Sequence, residues 1–147
     1  MQKEILLEIL KQNQFTCHFS LDRVSGENTS LRLNDKTASI GFIYRHIGET
    51  MNLFGQFFGI PTDVINTTMG QTDNGQVFDV EYSRELISRG YSMLKGLVES
   101  SADEDWLKPV DTPFLGTVSR IRLFAHVLFH NSNHAGQISM TLARGSK

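Results

Sequence analysis

The 147-residue chain contains one cysteine, Cys17. An internal disulfide framework is excluded, and so is a thiolate-rich metal site. A metal bound here must use nitrogen and oxygen ligands. Prolines number three, at positions 61, 109 and 113, which leaves long stretches free of a helix breaker. No run approaches the roughly 18 consecutive apolar residues of a membrane span, so no membrane partner is expected. Positive charge is not in excess either: 14 Lys and Arg stand against 16 Asp and Glu, a formal charge of −2. With no basic segment, no nucleic-acid partner is expected. The start, Met1-Gln2-Lys3-Glu4-Ile5, lacks the basic region and apolar stretch of a secretory signal. The expectation is a soluble cytoplasmic protein.

What is present suffices for one core. The length fits a single domain over residues 1–147, and 39% hydrophobic residues with ten Phe argue against disorder. Ile5, Leu6, Ile9 and Leu10 repeat with helical spacing and place a first helix over about 2–22. The turn-forming run Ser25-Gly26-Glu27-Asn28-Thr29-Ser30 ends it. A second helix is expected to start near Asn34 or Asp35, either of which can cap free N–H groups. Its apolar positions are Ile40, Ile43, Tyr44, Ile47, Met51, Phe54 and Phe58, and Gly59-Ile60-Pro61 stops it.

The polar, glycine-containing stretch that follows, through Asp73-Asn74-Gly75, reads as a long loop of the kind that often carries function. Asp79 caps a third helix that ends near Ser100, with Leu86, Met93, Leu94 and Leu97 as its apolar positions. In the next linker Trp106 is expected to fold back onto the bundle. Thr112-Pro113 reads as the start of a fourth helix that runs to Arg144, with Gly145 as its stop. The predicted fold is all-α, a four-helix bundle with a long loop between helices 2 and 3.

The last helix holds His126, His130 and His134, each four residues after the one before. Four residues advance a helix by about 40° and rise about 6 Å, so neighbouring imidazoles share a face and can converge on one ion. All three do not converge easily, because the outer two differ by about 80° and about 12 Å. The alternative is a stripe of polar core residues, each hydrogen-bonded across the bundle. A third ligand is expected from another helix. His46 lies among the apolar positions of helix 2, and His18 on helix 1 is the other candidate. Three neutral imidazoles would leave coordination positions open, as in a catalytic rather than a structural site. Glu49, three residues after His46, is a candidate to orient a ligand, act as general base or bind the ion. His126 is a candidate partner of the ligands. Gln137 is another, or else ties helix 4 to a neighbour. Cys17 reads as a small buried hydrophobe. Phe42, Phe57, Phe58 and Phe114 are candidates for an apolar pocket or a dimer face.

The segment His130-Asn131-Ser132-Asn133-His134-Ala135-Gly136-Gln137-Ile138 resembles the signature of the DinB superfamily: His, three residues, His, one residue, Gly-Gln. Ser39-Ile40-Gly41-Phe42-Ile43-Tyr44-Arg45-His46-Ile47-Gly48 is similar to that family's second helix. The resemblance covers nearly the whole chain. Ala135 departs from it where the family often has Arg, which leaves the ligands intact. The resemblance implies a four-helix bundle with His46, His130 and His134 as a three-histidine site for one divalent ion, zinc or nickel. It also implies a homodimer and a small-molecule substrate. Characterised relatives include S-transferases that use a low-molecular-weight thiol (bacillithiol, mycothiol or glutathione), and others resemble metal-dependent hydrolases.

Three functions follow as expectations: a metal-dependent thiol S-transferase acting on a small electrophile, a metal-dependent hydrolase, or a non-catalytic stress-related protein in which the ion only pins helix 2 to helix 4. Histidine nitrogens alone do not select among zinc, nickel, copper and iron.

Overall fold

The computed structural model describes all residues, Met1–Lys147. Four helices make the bundle: α1 (Gln2–Leu21), α2 (Ile40–Phe54), α3 (Val80–Ser100) and α4 (Arg120–Arg144). None is long and apolar enough to cross a membrane. α2 and α1 each pack chiefly on α3 and α4, so α1 lies diagonally across from α2. Thirteen of the 15 residues of α2 are buried, among them the polar Arg45, Glu49, Thr50 and Asn52, each of which therefore needs a hydrogen-bond partner.

The helix directions explain the long loop. Lys3 of α1 donates to the Glu99 carbonyl of α3, and the Tyr91 hydroxyl of α3 donates to Asn13, so these two helices are antiparallel. In contrast, α2 and α3 run parallel: Arg45 meets Ser83, Asn52 donates to the Leu86 carbonyl, and Gly55 lies against Met93. Two parallel neighbours cannot be joined by a tight turn. The chain must travel back the length of α2, roughly 22 Å for its 15 residues. Residues 59–79 are that return, tied to the start of α2 where Asp73 accepts from the Ser39 N–H and hydroxyl at 2.8 and 2.7 Å.

Glycines let α2 and α3 approach closely. A Cβ at Gly48 would stand 2.7 Å from the Leu86 Cβ, and one at Gly90 would stand 2.6 Å from the Met51 Cβ. Both are closer than carbon atoms pack, so neither position has room for a side chain.

Two helix starts differ from the sequence expectation. α2 begins at Ile40, where the Ser39 hydroxyl accepts from the Phe42 N–H. Asn34 is used in a preceding turn, its side chain accepting from the Lys36 N–H and its carbonyl from Thr37. α4 begins at Arg120 with Ser119 as its cap. Thr112-Pro113 instead opens the turn of a hairpin, β1 (Pro109–Thr112) paired antiparallel with β2 (Gly116–Ser119). β-Branched Val110, Thr112, Thr117 and Val118 favour extended backbone. The Thr112 hydroxyl accepts from the Leu115 N–H, and Gly116 takes φ +65° to close the turn.

Trp106 does fold back. It is 1% exposed and meets Phe124 edge-on at 5.4 Å. Cys17 is likewise 1% exposed, and burial pushes its thiol pKa up. It packs as a small hydrophobe rather than a nucleophile.

Candidate metal centre

α2 and α4 are antiparallel, which sets His46 opposite His130 and His134. One histidine nitrogen from each of the three lies within 4.8 Å of the others. The ring centroids stand 4.9 Å (His46–His130), 4.9 Å (His46–His134) and 4.3 Å (His130–His134) apart. Of the sequence candidates, these three are brought together.

Hydrogen bonds assign which nitrogen each ring presents. The Thr68 hydroxyl donates its one proton to Glu49 Oε2 at 2.8 Å, so it can only accept from His46 Nδ1, 3.1 Å away. His46 therefore carries its proton on Nδ1 and presents a bare Nε2. His134 is fixed in the same sense, because its Nδ1–H donates to Gln137 Oε1 at 2.6 Å. His130 differs. Its Nδ1 is buried with no hydrogen-bond partner, and its Nε2 lies 3.0 Å from His46 Nε2. Two imidazole nitrogens at that separation share either one proton or one ion. Two ligands of a tetrahedral zinc at about 2.0–2.1 Å lie roughly 3.3 Å apart, so the observed spacing fits a shared ion with little movement.

The electrostatics agree with a neutral donor set. Burial, with His134 nearby, pushes the His46 pKa down to about 4. Burial, with His134 and His46 nearby, pushes His130 down to about 3. Burial lowers His134 as well. All three are neutral at physiological pH, the state a metal requires of an imidazole.

Glu49 is not free to act at the site. Its side chain is 1% exposed, and its oxygens accept from the Thr67 N–H (2.9 Å), the Thr67 hydroxyl (2.6 Å) and the Thr68 hydroxyl (2.8 Å). The Arg45 guanidinium lies 3.8 Å away. Glu49 acts on His46 through Thr68 and by its charge, which opposes the burial-driven fall of the His46 pKa; of its sequence expectations this fits orienting a candidate ligand, not a general base. Arg45 is itself held by Ser83 and the Asp79 carbonyl and flanked by the Phe78 and Tyr82 rings.

The other candidates fall elsewhere. Gln137 orients His134 rather than tying α4 to another helix. His126 hydrogen-bonds to none of the three histidines. It stacks instead on Phe54, beside Phe57 and Phe114, in an aromatic cluster. His18 pairs with Asp22 on the exposed side of α1 and is no ligand candidate. Phe58 is buried beneath Arg120. Phe42 lines a cavity of about 430 Å³ that His46, Thr68, His134 and Gln137 also border, so two of the three imidazoles, those of His46 and His134, have an open side. Sequence reasoning missed Thr67 and Thr68. Nothing local to two threonines in a polar loop signals that they meet a residue some twenty positions earlier.

A family model described as the DinB superfamily matches residues 6–138. No curated protein matches the chain. Among solved structures, the chain is similar to YfiT from Bacillus subtilis at a TM-score of 0.74 and 12% identity, over 97% of this chain and 87% of that one. YfiT is described as a probable metal-dependent hydrolase with an unusual four-helix bundle topology. At that identity the likeness shows the fold alone.

Proposed function

This chain belongs to the DinB superfamily, and on that premise we propose that it is a divalent-metal enzyme transferring a small thiol onto a small electrophile. His46, His130 and His134 are the proposed ligands of one zinc or nickel ion, with the remaining coordination positions open to the cavity. The observation that carries the reading is the convergence of three neutral imidazoles beside that cavity, two of them already fixed through Nδ1. When bound, such an ion lowers the pKa of a thiol placed beside it, so that the reactive thiolate is populated at neutral pH. The overall reaction forms a C–S bond and breaks the carbon–leaving-group bond. The leaving group departs with the electron pair, and the thiol proton passes to solvent.

The position of Glu49 removes it as a general base from either a thiol-transfer or a hydrolytic reading. With both oxygens engaged by Thr67 and Thr68, it cannot take a proton at the site. Hydrolysis is the second reading. It is supported by the description of YfiT and by the donor set, since three imidazoles and one divalent ion can bring water's pKa toward about 7. A small-molecule substrate and a homodimer complete the proposal, and sedimentation velocity tests the dimer.

Metal analysis of the purified protein and of a His130→Ala, His134→Ala double variant comes first, with about one ion per chain expected and lost in the variant. The loaded protein is then given a thiol with 1-chloro-2,4-dinitrobenzene and, separately, p-nitrophenyl acetate. Thiol consumption that chelation abolishes is the expected result. Ester cleavage alone replaces transfer by hydrolysis, and neither activity removes the case for an enzyme.

A further inference from the structure

The outward face of α4 lacks the charge that a solvated helix normally carries. Between Leu123 and Ala143 it contains no Asp, Glu, Lys or Arg, although nine of those positions are exposed. The exposed positions of α3, by contrast, include Glu81, Arg84, Glu85, Lys95 and Glu99.

The uncharged exposed positions are spaced for a second helix contact. On α1, Ile5, Ile9, Gln12, Thr16 and Phe19 follow one another at intervals of four and three. On α4, Ala125, Phe129, Ser132, Gly136, Ser139 and Ala143 do the same. That alternation keeps one edge of a helix facing a partner helix, as in a coiled coil. These residues do not hold the bundle together, since α1 buries Leu6, Leu10, Cys17 and Leu21 instead, and α4 buries Phe124, Val127, Ala135 and Ile138 among others. The two seams adjoin. Asn13 donates to the Leu128 carbonyl at 2.8 Å and to the Ser132 hydroxyl at 2.9 Å, so a member of the α4 seam touches α1. Ile9 and Thr16 flank Asn13, four residues before it and three after. The opposite flank of α1, with Leu7, Lys11 and Gln14, faces α3. Both α1 and α4 are antiparallel to α3, so the seams run side by side along the bundle.

Ile5, Ile9, Phe19, Phe129 and Met140, with Phe15 edge-on to Phe19 at 5.1 Å, are each between 49% and 67% exposed. At about 150–200 Å² for a fully exposed large side chain, these six leave on the order of 600 Å² of apolar surface uncovered. The largest patch on a monomer is about 300–600 Å², while a stable interface covers about 800 Å² of each partner. The smaller members of the two seams supply the difference. With no Asp, Glu, Lys or Arg in either seam, the face meets a copy of itself without like-charge repulsion, as a two-fold interface requires.

We propose that α1 and α4 form the homodimer interface of this protein, a second copy laying its own α1 and α4 across them in a four-helix contact between subunits. This interface rests on the homodimer named above and is independent of the metal site.

Sedimentation velocity over a micromolar concentration range compares the wild-type chain with Ile9→Glu on α1 and Phe129→Glu on α4. Both side chains are about half exposed or more in the subunit, so both variants should keep their fold, which circular dichroism verifies. Leu107→Glu, at a 78% exposed apolar residue outside the face, is the control. The expected result is a wild-type dimer whose dissociation constant rises about thirtyfold or more in each seam variant. Leu107→Glu should leave it unchanged, and Ile9→Glu should keep its zinc content per chain. A wild-type chain that stays monomeric at every concentration overturns the proposal and leaves the face to a different protein. A dimer that both folded seam variants retain overturns it as well and puts the interface elsewhere. Absence of a zinc site in a chain that dimerises through these seams overturns only the metal-enzyme reading.

Discussion

Replacing Thr68 with Val removes one hydroxyl while nearly preserving shape. In the native protein that hydroxyl sits between Glu49 Oε2 at 2.8 Å and His46 Nδ1 at 3.1 Å. Glu49 keeps its two Thr67 donors, so the carboxylate is not orphaned. His46 loses the acceptor that holds its proton on Nδ1. The Thr50 hydroxyl stands at 3.5 Å, too long to replace it fully. Two effects then compete. Loss of two buried hydrogen bonds, one of them to a carboxylate, lowers stability by about 2–4 kcal/mol. Loss of an outer partner to a ligating histidine lowers metal affinity by about 10–100-fold, equivalent to about 1.4–2.7 kcal/mol. The two effects are of similar size, so each must be read by its own assay. Zinc competition against a chromogenic chelator measures the affinity change, and thermal melting of the metal-free forms measures the stability change separately. Thr68→Ser, which keeps the hydroxyl, should restore most of the affinity. Native-like zinc affinity in a folded Thr68→Val variant would refute the tautomer argument.

Two further outcomes follow from the same geometry. Gly90→Ala places a methyl 2.6 Å from the Met51 Cβ, and overpacking of this kind is destabilising by about 1–3 kcal/mol; calorimetry should show a lower melting temperature, and an unchanged one would contradict the close approach of α2 and α3. Burial holds His46 at about 4 and His130 at about 3, below the unfolded value near about 6.5. Between those values the unfolded chain binds more protons than the folded one, so stability falls on acidification. Chelated protein should thus lose on the order of 4 kcal/mol between about pH 7.5 and about pH 5, about 2 from each histidine, roughly 8–16 °C in melting temperature, and a flat profile would argue that these imidazoles are solvated.

The parts of this molecule legible in sequence are those governed by local spacing. The 3.6-residue period marks α1 and α3 with their limits, and Asp79 is read correctly as a cap because its side chain bonds to the Tyr82 N–H only three residues on. The four-residue spacing of His130 and His134 is of the same kind. Start signals mislead where two local rules coincide. Thr-Pro opens helices, but it also opens hairpin turns, and the β-branched residues around 110–118 decide for the hairpin. Of the alternatives read for Glu49, general base and metal ligand do not fit its surroundings, for a different reason. Its spacing from His46 is right for one helix face, yet what occupies that face is the returning chain, which no helical pattern encodes.

That returning chain follows from the parallel arrangement of α2 and α3. An antiparallel pair would be joined by a few residues at one end of the bundle and would leave the His46 side of α2 bare. The parallel pair forces a crossover along the length of α2, and this crossover lays Thr67 and Thr68 against Glu49. It also contributes Gly70 and Gln71 to the cavity wall. Asp73 then clamps its far end to Ser39 and Arg32. Burial disfavours the charged Asp73 carboxylate, but the Ser39 and Gly75 donors and Arg32 outweigh it and lower its pKa. The helices thus bring the three imidazoles together, while the connection between them fixes the His46 proton and completes the pocket. A bundle with the same four helices in simple up-and-down order would keep the histidine spacing on α4 and lose the groups that hold the His46 proton on Nδ1.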